Sequence, residues 1–317
     1  MLRGHRLRRP TAAAAGVRRG RYSVTMKPRV TTIVTDLDNT LYDWLTMWGA
    51  AFGAMVRALA ERSGLPREII EADARGVHQR RGTTEYAFLI QELPCLREKH
   101  PRQDLARIYA DAIAAYRLAR ERSLELFPSV AETLAALKAR GCLVVGYTDS
   151  RAFHAGYRVR RLGLDGLLDY LYSPPDHALP SAAILGAIRS RPEEAYRLGR
   201  TVHRVLPEGE VKPNPAVLAS IMEDVGAAPE RTIHVGDSLL RDVLMAQQAG
   251  VTDVFARYGL AQHRQEYELL RRVSHWTDAD IERERRRTAQ QDIHPSYTLD
   301  EALGELLDLF EFEPFAA

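Results

Sequence analysis

One stretch, Thr31–Tyr42 (TTIVTDLDNTLY), limits the folds open to this chain more than any other. Thr31, Thr32, Ile33, Val34 and Thr35 form a β-branched run, the pattern of a strand buried in a parallel sheet. Asp36 and Asp38 follow its end, separated by one residue, and Asn39 and Thr40 then turn the chain. In an open α/β sheet, ligands bind just beyond the carboxyl ends of the strands, which is where these two acids fall. Two carboxylates so close in a partly dry crevice need a cation between them or a retained proton. The stretch therefore predicts an α/β fold, a doubly wound and mostly parallel sheet. At its edge it predicts a bound divalent metal or acid–base work.

Beyond Tyr42 the period changes. Leu45, Trp48, Phe52, Met55, Val56 and Leu59 recur at three- and four-residue steps, one face of an amphipathic helix. Helical patterns continue over 67–76, 86–93 and 105–126, broken at Gly82, Pro94 and Pro101, with no convincing strand before Phe127. A crossover needs far fewer residues, so 43–127 reads as a small helical domain inserted after the first strand. The α/β rhythm resumes at Pro128. Strands are expected over Leu143–Tyr147, Tyr170–Tyr172, Thr232–Val235, Val251–Phe255 and Ser296–Leu299. Helices are expected near 130–140, 152–162, 182–188, 216–225, 241–249 and 301–310. The resulting division is a basic leader (1–28, disordered), an α/β core (29–42 and 128–317) and the helical insert (43–127).

Composition decides what else the chain can be. With 317 residues there is room for one α/β core and a smaller companion. Hydrophobic residues at 45% and charged ones at 27% fit an ordinary soluble globular chain. Cys95 and Cys142 lie far apart and in no metal-ligand spacing, which suits a reducing compartment and argues against a disulfide framework. The first 30 residues carry Arg3, Arg6, Arg8, Arg9, Arg18, Arg19, Arg21, Lys27 and Arg29 with no acid, but they lack the apolar region of an export signal. No stretch approaches the run of about 20 apolar residues that a membrane helix needs. The charge run Glu282–Arg287 mixes both signs and reads as a solvated helix face, not a nucleic-acid patch. The expectation is a cytoplasmic protein without membrane or nucleic-acid partners.

Four features fall at strand ends or helix starts: Asp36 with Asp38, Thr148, Lys212, and Asp237 with Asp242. Alone, each has an ordinary explanation. Asp36 or Asp38 could form an Asx turn, Thr148 or Asp237 could cap a helix, Lys212 could be a loop lysine, and Asp242 could be a first-turn acid favoured by the helix dipole. In a single parallel sheet, however, all share one crevice edge. Together they offer carboxylates for a hard cation with oxygen ligands, a positive charge and a hydroxyl.

DLDNTL (36–41), VVGYTDS (144–150), VKPNPAVL (211–218) and HVGDSLLRDVLMAQQAGV (234–251) resemble, in order, the four motifs of the haloacid dehalogenase-like hydrolase superfamily. The likeness covers Thr31–Phe255, with the helical insert at the family's cap position. It implies a Mg²⁺-dependent phosphatase of a small phosphorylated metabolite. Asp36 would be the nucleophile forming an aspartyl-phosphate, and Asp38 the general acid and then base. Thr148 would hydrogen-bond a phosphoryl oxygen, with the main chain of Asp149 beside it, and Lys212 would neutralise charge. Mg²⁺ would be held by Asp36, the carbonyl of Asp38 and Asp237, with Asp242 a further ligand or a partner of the ligands. An acid at position 38 disfavours carbon–halogen cleavage, because a halide leaves without a proton.

Two departures stand out. Asp149 replaces the more usual Asn, and its carboxylate is expected to turn from phosphate; Met245 replaces a small glycine in a packing position. Ser173–Glu210 is longer than the family's short form, and Arg189, Arg191, Arg200, His203 and Arg204 there could cover or select an anionic substrate. The rival readings are a sugar phosphomutase and a non-catalytic binding protein that keeps the fold. Oligomeric state stays open, a homodimer among the options.

Overall fold

The computed structural model describes residues 27–177, 197–260, 264–280, 282–283, 286 and 293–316. The strands are β1 (Arg29–Val30), β2 (Thr32–Thr35), β3 (Leu143–Tyr147), β4 (Tyr170–Ser173), β5 (Val202–Val205), β6 (Thr232–Gly236), β7 (Thr252–Ala256), β8 (Tyr297–Leu299) and β9 (Glu311–Phe312). Seven of them make one sheet in the order β5-β4-β3-β2-β6-β7-β8, all neighbours parallel, while β1 and β9 pair separately. β2 is central, and the chain crosses to β3 on one side and later to β6 on the other. Its carboxyl end is thus the point where the winding reverses, the position at which such sheets open a crevice.

Burial on both faces explains the β-branched run. Ile33 joins Val130, Leu134, Leu137 and Val144 in one apolar cluster. Val34 points the other way, to Val145, Leu218, Ile221, Met222 and the fully buried Met245. The helices named next supply these covers, as a parallel sheet requires.

The helical insert holds α1 (Trp44–Ser63), α2 (Arg67–Arg81), α3 (Leu89–Glu92), α4 (Pro94–Lys99), α5 (Leu105–Ile108) and α6 (Ala110–Ser123). Asp43 starts α1 by accepting from Thr46 N, and Gly64 ends it in the left-handed region (φ 71°), where only glycine is unstrained. The buried stripe of α1 includes Leu45, Trp48, Phe52, Val56 and Leu59, with Trp48 stacked on Phe52 at 5.1 Å. In the core follow α7 (Val130–Ala139), α8 (Ala152–Arg161), α9 (Pro215–Val225), α10 (Leu244–Gln248), α11 (Gln265–Val273) and α12 (Leu306–Leu309).

Several elements differ from the sequence expectation. β5 is an additional edge strand inside the segment read as irregular; Val-His-Arg-Val is short, and its valines are about half exposed (Val202 49%, Val205 57%), so no buried run advertises it. The helix expected over 241–249 begins two residues earlier, as a π-type turn at Leu239–Val243 that continues into α10. α11, assigned from sequence to the core, packs on α1 and α2: His78 Nδ1 lies 2.6 Å from Val273 O, and Arg272 pairs with Glu71 at 3.0 Å. The helix expected near 182–188, the leader through residue 26 and part of the 282–287 run lie outside the described residues. Among the described residues no helix is long and apolar enough to cross a membrane.

Candidate active site

β2 delivers Asp36 to the sheet edge, where its main-chain N–H still donates to Val235 O of β6 (2.8 Å). The chain then turns tightly. Asn39 adopts a positive φ of 59°, and its Oδ1 accepts from Leu45 N (3.1 Å), fixing the start of α1. Gly259 closes over this turn, where a Cβ would lie 1.8 Å from Asn39 O, so no other residue fits without moving the turn.

Lys212 arrives from the far side of the sheet. Its peptide with Pro213 is cis, and Asn214 then caps α9 by accepting from Val217 N (3.2 Å), with Pro215 in the first turn. Buried over the Tyr147 ring at 4.8 Å, its Nζ donates to Asp36 Oδ1 (2.6 Å) and Asp242 Oδ1 (2.8 Å). Asp242 sits in the π-type turn, a widening often found at functional sites. It also accepts from Ser238 N (3.1 Å) and lies 3.1 Å from His234 Nε2. Gly236 makes room for it: a Cβ there would stand 2.2 Å from Asp242 Cγ.

Charge is unevenly met here. Burial pushes the Asp36 carboxyl up; Lys212 pulls it back and the Asp242 and Asp38 carboxylates push again, leaving it at about 7. Burial, and then Asp36 and Asp242, raise half-buried Asp237 well above the usual carboxylate range. Burial would raise Asp242 too, but Lys212 and the His234 hydrogen bond hold it below that range. Burial lowers His234, so its ring is neutral and serves Asp242 as an N–H donor. Despite burial, Asp242, Asp36 and Asp149 keep Lys212 firmly protonated. Three carboxylates thus gather round one lysine.

Asp38 lives differently. Arg158 Nη1 donates to its Oδ1 (3.1 Å), and Ser150 Oγ (2.6 Å) and Thr148 Oγ1 (3.4 Å) donate to its Oδ2. Arg158 also reaches Ser150 Oγ (2.8 Å) and the Glu85 carboxylate. Thr148 is therefore not a helix cap: it accepts from Ser150 N (3.0 Å), and α8 begins only after Arg151. Asp149 is occupied as well, Oδ1 accepting from Lys212 N (2.9 Å) and Oδ2 paired with Arg241 (3.3 Å).

All seven sequence-derived candidates lie at this edge. The resemblance implies the carbonyl of Asp38 as a metal ligand, and Asp242 as a further ligand or a partner of the ligands. The Asp242 carboxylate is met by Lys212, His234 and Ser238, the position of a partner, and the Asp38 side chain by Arg158, Ser150 and Thr148. Among the described residues no three His, Cys, Asp or Glu side chains are grouped to hold a metal ion. The acids left for a cation are Asp237 and Asp36, the latter also met by Lys212 and Thr40, two carboxylates whose protons are held up by burial and by neighbouring carboxylates. Such a pair suits Mg²⁺, which takes one or two carboxylates and keeps several waters.

The anion-selecting role read into 173–210 does not fit His203 and Arg204. Arg204 pairs with Asp224 and lies over Tyr170, and His203 meets Ser173 at 2.8 Å, both on the edge strand β5, three strands from β2. Arg189 and Arg191 lie outside the described residues.

Sequence reasoning missed Ser150, His234, Arg241, Arg158 and Glu85. Arg158 carried a signal: at helical spacing it shares the buried face of α8 with His154, Ala155 and Val159, an odd place for a charge. Glu85, in the irregular loop after α2, carried none.

A family model described as haloacid dehalogenase-like hydrolase matches residues 30–250. The chain is 25% identical over 244 residues to the glyceraldehyde 3-phosphate phosphatase of Methanopyrus kandleri, covering 74% of this chain and 86% of that protein. Among solved structures it is similar to a 2-haloacid dehalogenase from Pseudomonas syringae pv. tomato DC3000, with TM-score 0.50 and 19% identity over 88% of this chain and 97% of that one. A predicted phosphoglycolate phosphatase from Haemophilus somnus 129PT gives TM-score 0.48 and 20% identity over 88% and 97%. At 19% identity the likeness to the dehalogenase speaks to fold alone.

Proposed function

The chain belongs to the haloacid dehalogenase-like hydrolases, and from that membership we propose that it is a Mg²⁺-dependent phosphatase of a small phosphate monoester. The observation that carries this reading is the Lys212 bridge between Asp36 and Asp242 at the end of β2, with Asp38 held separately beside it. The relative named as a phosphatase agrees with it.

In the first half-reaction an Asp36 oxygen attacks phosphorus, and the bond from phosphorus to the ester oxygen breaks. Asp38 gives that departing oxygen its proton. In the second, Asp38 takes a proton from water as the water attacks phosphorus, releasing phosphate and restoring Asp36. Lys212 offsets the negative charge of the attacking carboxylate, and the Thr148 hydroxyl, turning from Asp38, donates to a phosphoryl oxygen. Asp242, His234 and Ser238 keep Lys212 aimed, so no reorganisation is needed when charge shifts. Asp36 and Asp237 with the carbonyl of Asp38 would hold Mg²⁺, which would supply charge neutralisation at the phosphoryl group. The helical insert plays the part of a cap that limits water at the site.

A panel of phosphate monoesters assayed with Mg²⁺ and with EDTA tests the reading. Phosphate release should require the cation, and Asp36→Asn should lower it about 10⁴-fold or more. Wild-type activity in Asp36→Asn would remove the proposal.

A further inference from the structure

Arg158 is the largest buried charged side chain of the described residues, with 1% of its surface exposed. A guanidinium out of water needs anionic partners, and this one has two from different parts of the molecule. Nη1 donates to Asp38, in the loop after β2, while Nη2 donates to Glu85, in the loop between α2 and α3 of the helical cap. Glu85 is fixed in turn. Trp44 Nε1 donates to its Oε2 (3.2 Å), and His154 Nε2 stands 3.0 Å from its carbonyl. Burial alone would raise its carboxyl, yet Arg158 and its other partners hold it down at about 2, so it stays ionised across the neutral range.

The guanidinium is a rigid planar fork, so the direction of one nitrogen follows from where the other is docked. Glu85 on Nη2 therefore sets the aim of Nη1 at Asp38 Oδ1 and Ser150 Oγ. All groups around Asp38 (Arg158, Ser150 and Thr148) donate, which suits the carboxylate left after its proton has gone to the departing oxygen.

We propose that Arg158 and Glu85 are positioning residues for proton transfer by Asp38, a brace that ties the catalytic acid of the core to the loop 82–88 of the cap. The inference rests on the phosphatase reading, in which Asp38 is that acid. The step it serves breaks the phosphorus–ester oxygen bond, forms the bond from Asp36 to phosphorus and moves one proton from Asp38 to the alcohol. The brace contributes where the leaving group needs that proton. An alkoxide leaves poorly without it; a nitrophenolate leaves well.

The experiment compares kcat and KM for β-glycerophosphate and p-nitrophenyl phosphate with Mg²⁺ in wild type, Glu85→Gln, Arg158→Lys and Asp38→Asn. Asp38→Asn should lose about 10²–10⁴-fold in kcat on the alkyl ester and far less on the aryl ester. Glu85→Gln should show the same selective loss at about 10-fold, with KM within about 2-fold, and Arg158→Lys a larger one, since lysine cannot span both carboxylates. Trp44→Phe, which removes only the indole N–H from Glu85, should repeat the pattern more weakly and guards against a Glu85 variant that fails to fold. Equal losses on both esters in the Glu85, Arg158 and Trp44 variants, or none, with Asp38→Asn still selective, would overturn the brace and leave the phosphatase reading intact. An unselective Asp38→Asn would instead overturn the role of Asp38 itself.

Discussion

Asp36 and Asp38 stand two residues apart on one loop, yet their surroundings are opposite in charge. The Asp36 side holds Asp237 and Asp242 against one shared lysine, and two of its carboxyls are pushed up. On the Asp38 side every neighbour in contact is a donor, headed by a buried arginine. The first is short of positive charge, which a retained proton or the proposed cation would offset; the second has its counter-charge in place. Residue type does not separate the proposed nucleophile from the proposed proton carrier here. The partners delivered by β6 and α9 on one flank, and by β3 and α8 on the other, do.

Removing Lys212 should break the contrast most. Lys212→Met leaves Asp36 and Asp242 facing each other, and we expect about 3–5 kcal/mol less stability in urea titrations and about 10³-fold less phosphate release. Gly236→Ala should come next. Its methyl group displaces Asp242 and so disorients Lys212, with kcat falling about 10²-fold while the alkyl-to-aryl rate ratio, a property of the Asp38 flank, stays unchanged.

Mg²⁺ and pH together give a smaller, signed effect. Without a cation the folded Asp36 keeps its proton to about 7, above its ordinary 3.8. Its contribution to stability is therefore present at low pH and lost as pH rises from about 4 through about 7. A divalent cation favours the ionised pair, so Mg²⁺ should raise Tm more at pH 8 than at pH 5; equal shifts would argue against Asp36 and Asp237 as ligands.

The smallest effect at neutral pH belongs to the helical insert. Burial lowers His78 to about 4, although the Val273 carbonyl and Glu85 act against it. Its neutral form thus favours folding above about 6.5, and that contribution, up to about 3 kcal/mol, is lost as pH falls from 6.5 through 4. In acid titrations followed by tryptophan fluorescence, His78→Gln should flatten this limb and leave the pH 7 rate unaltered.

Much of the Asp36 flank was legible in the sequence, because each piece sits where local rules are strict. A β-branched run must be buried and Asn214-Pro215 must start a helix, whereas the close approach at Gly236 shows only in the fold. The Asp38 flank was half hidden. Thr148 and Ser150 follow a strand, but Arg158 is one helical arginine among several, and Glu85 reaches the site only through the tertiary fold. β5 escaped because an exposed edge strand leaves no hydrophobic period, and α11 because its charged sequence says nothing of which unit it packs on.

That helix has a mechanical consequence. Arg264, at its start, is ion-paired to Asp43 at 2.6 Å, and Asp43 is where the polypeptide first leaves the sheet for the helical unit. The core thus lends this unit a helix whose start is tied to the very residue that opens α1, so a rotation of α1 and α2 about Asp43 would take α11 with it.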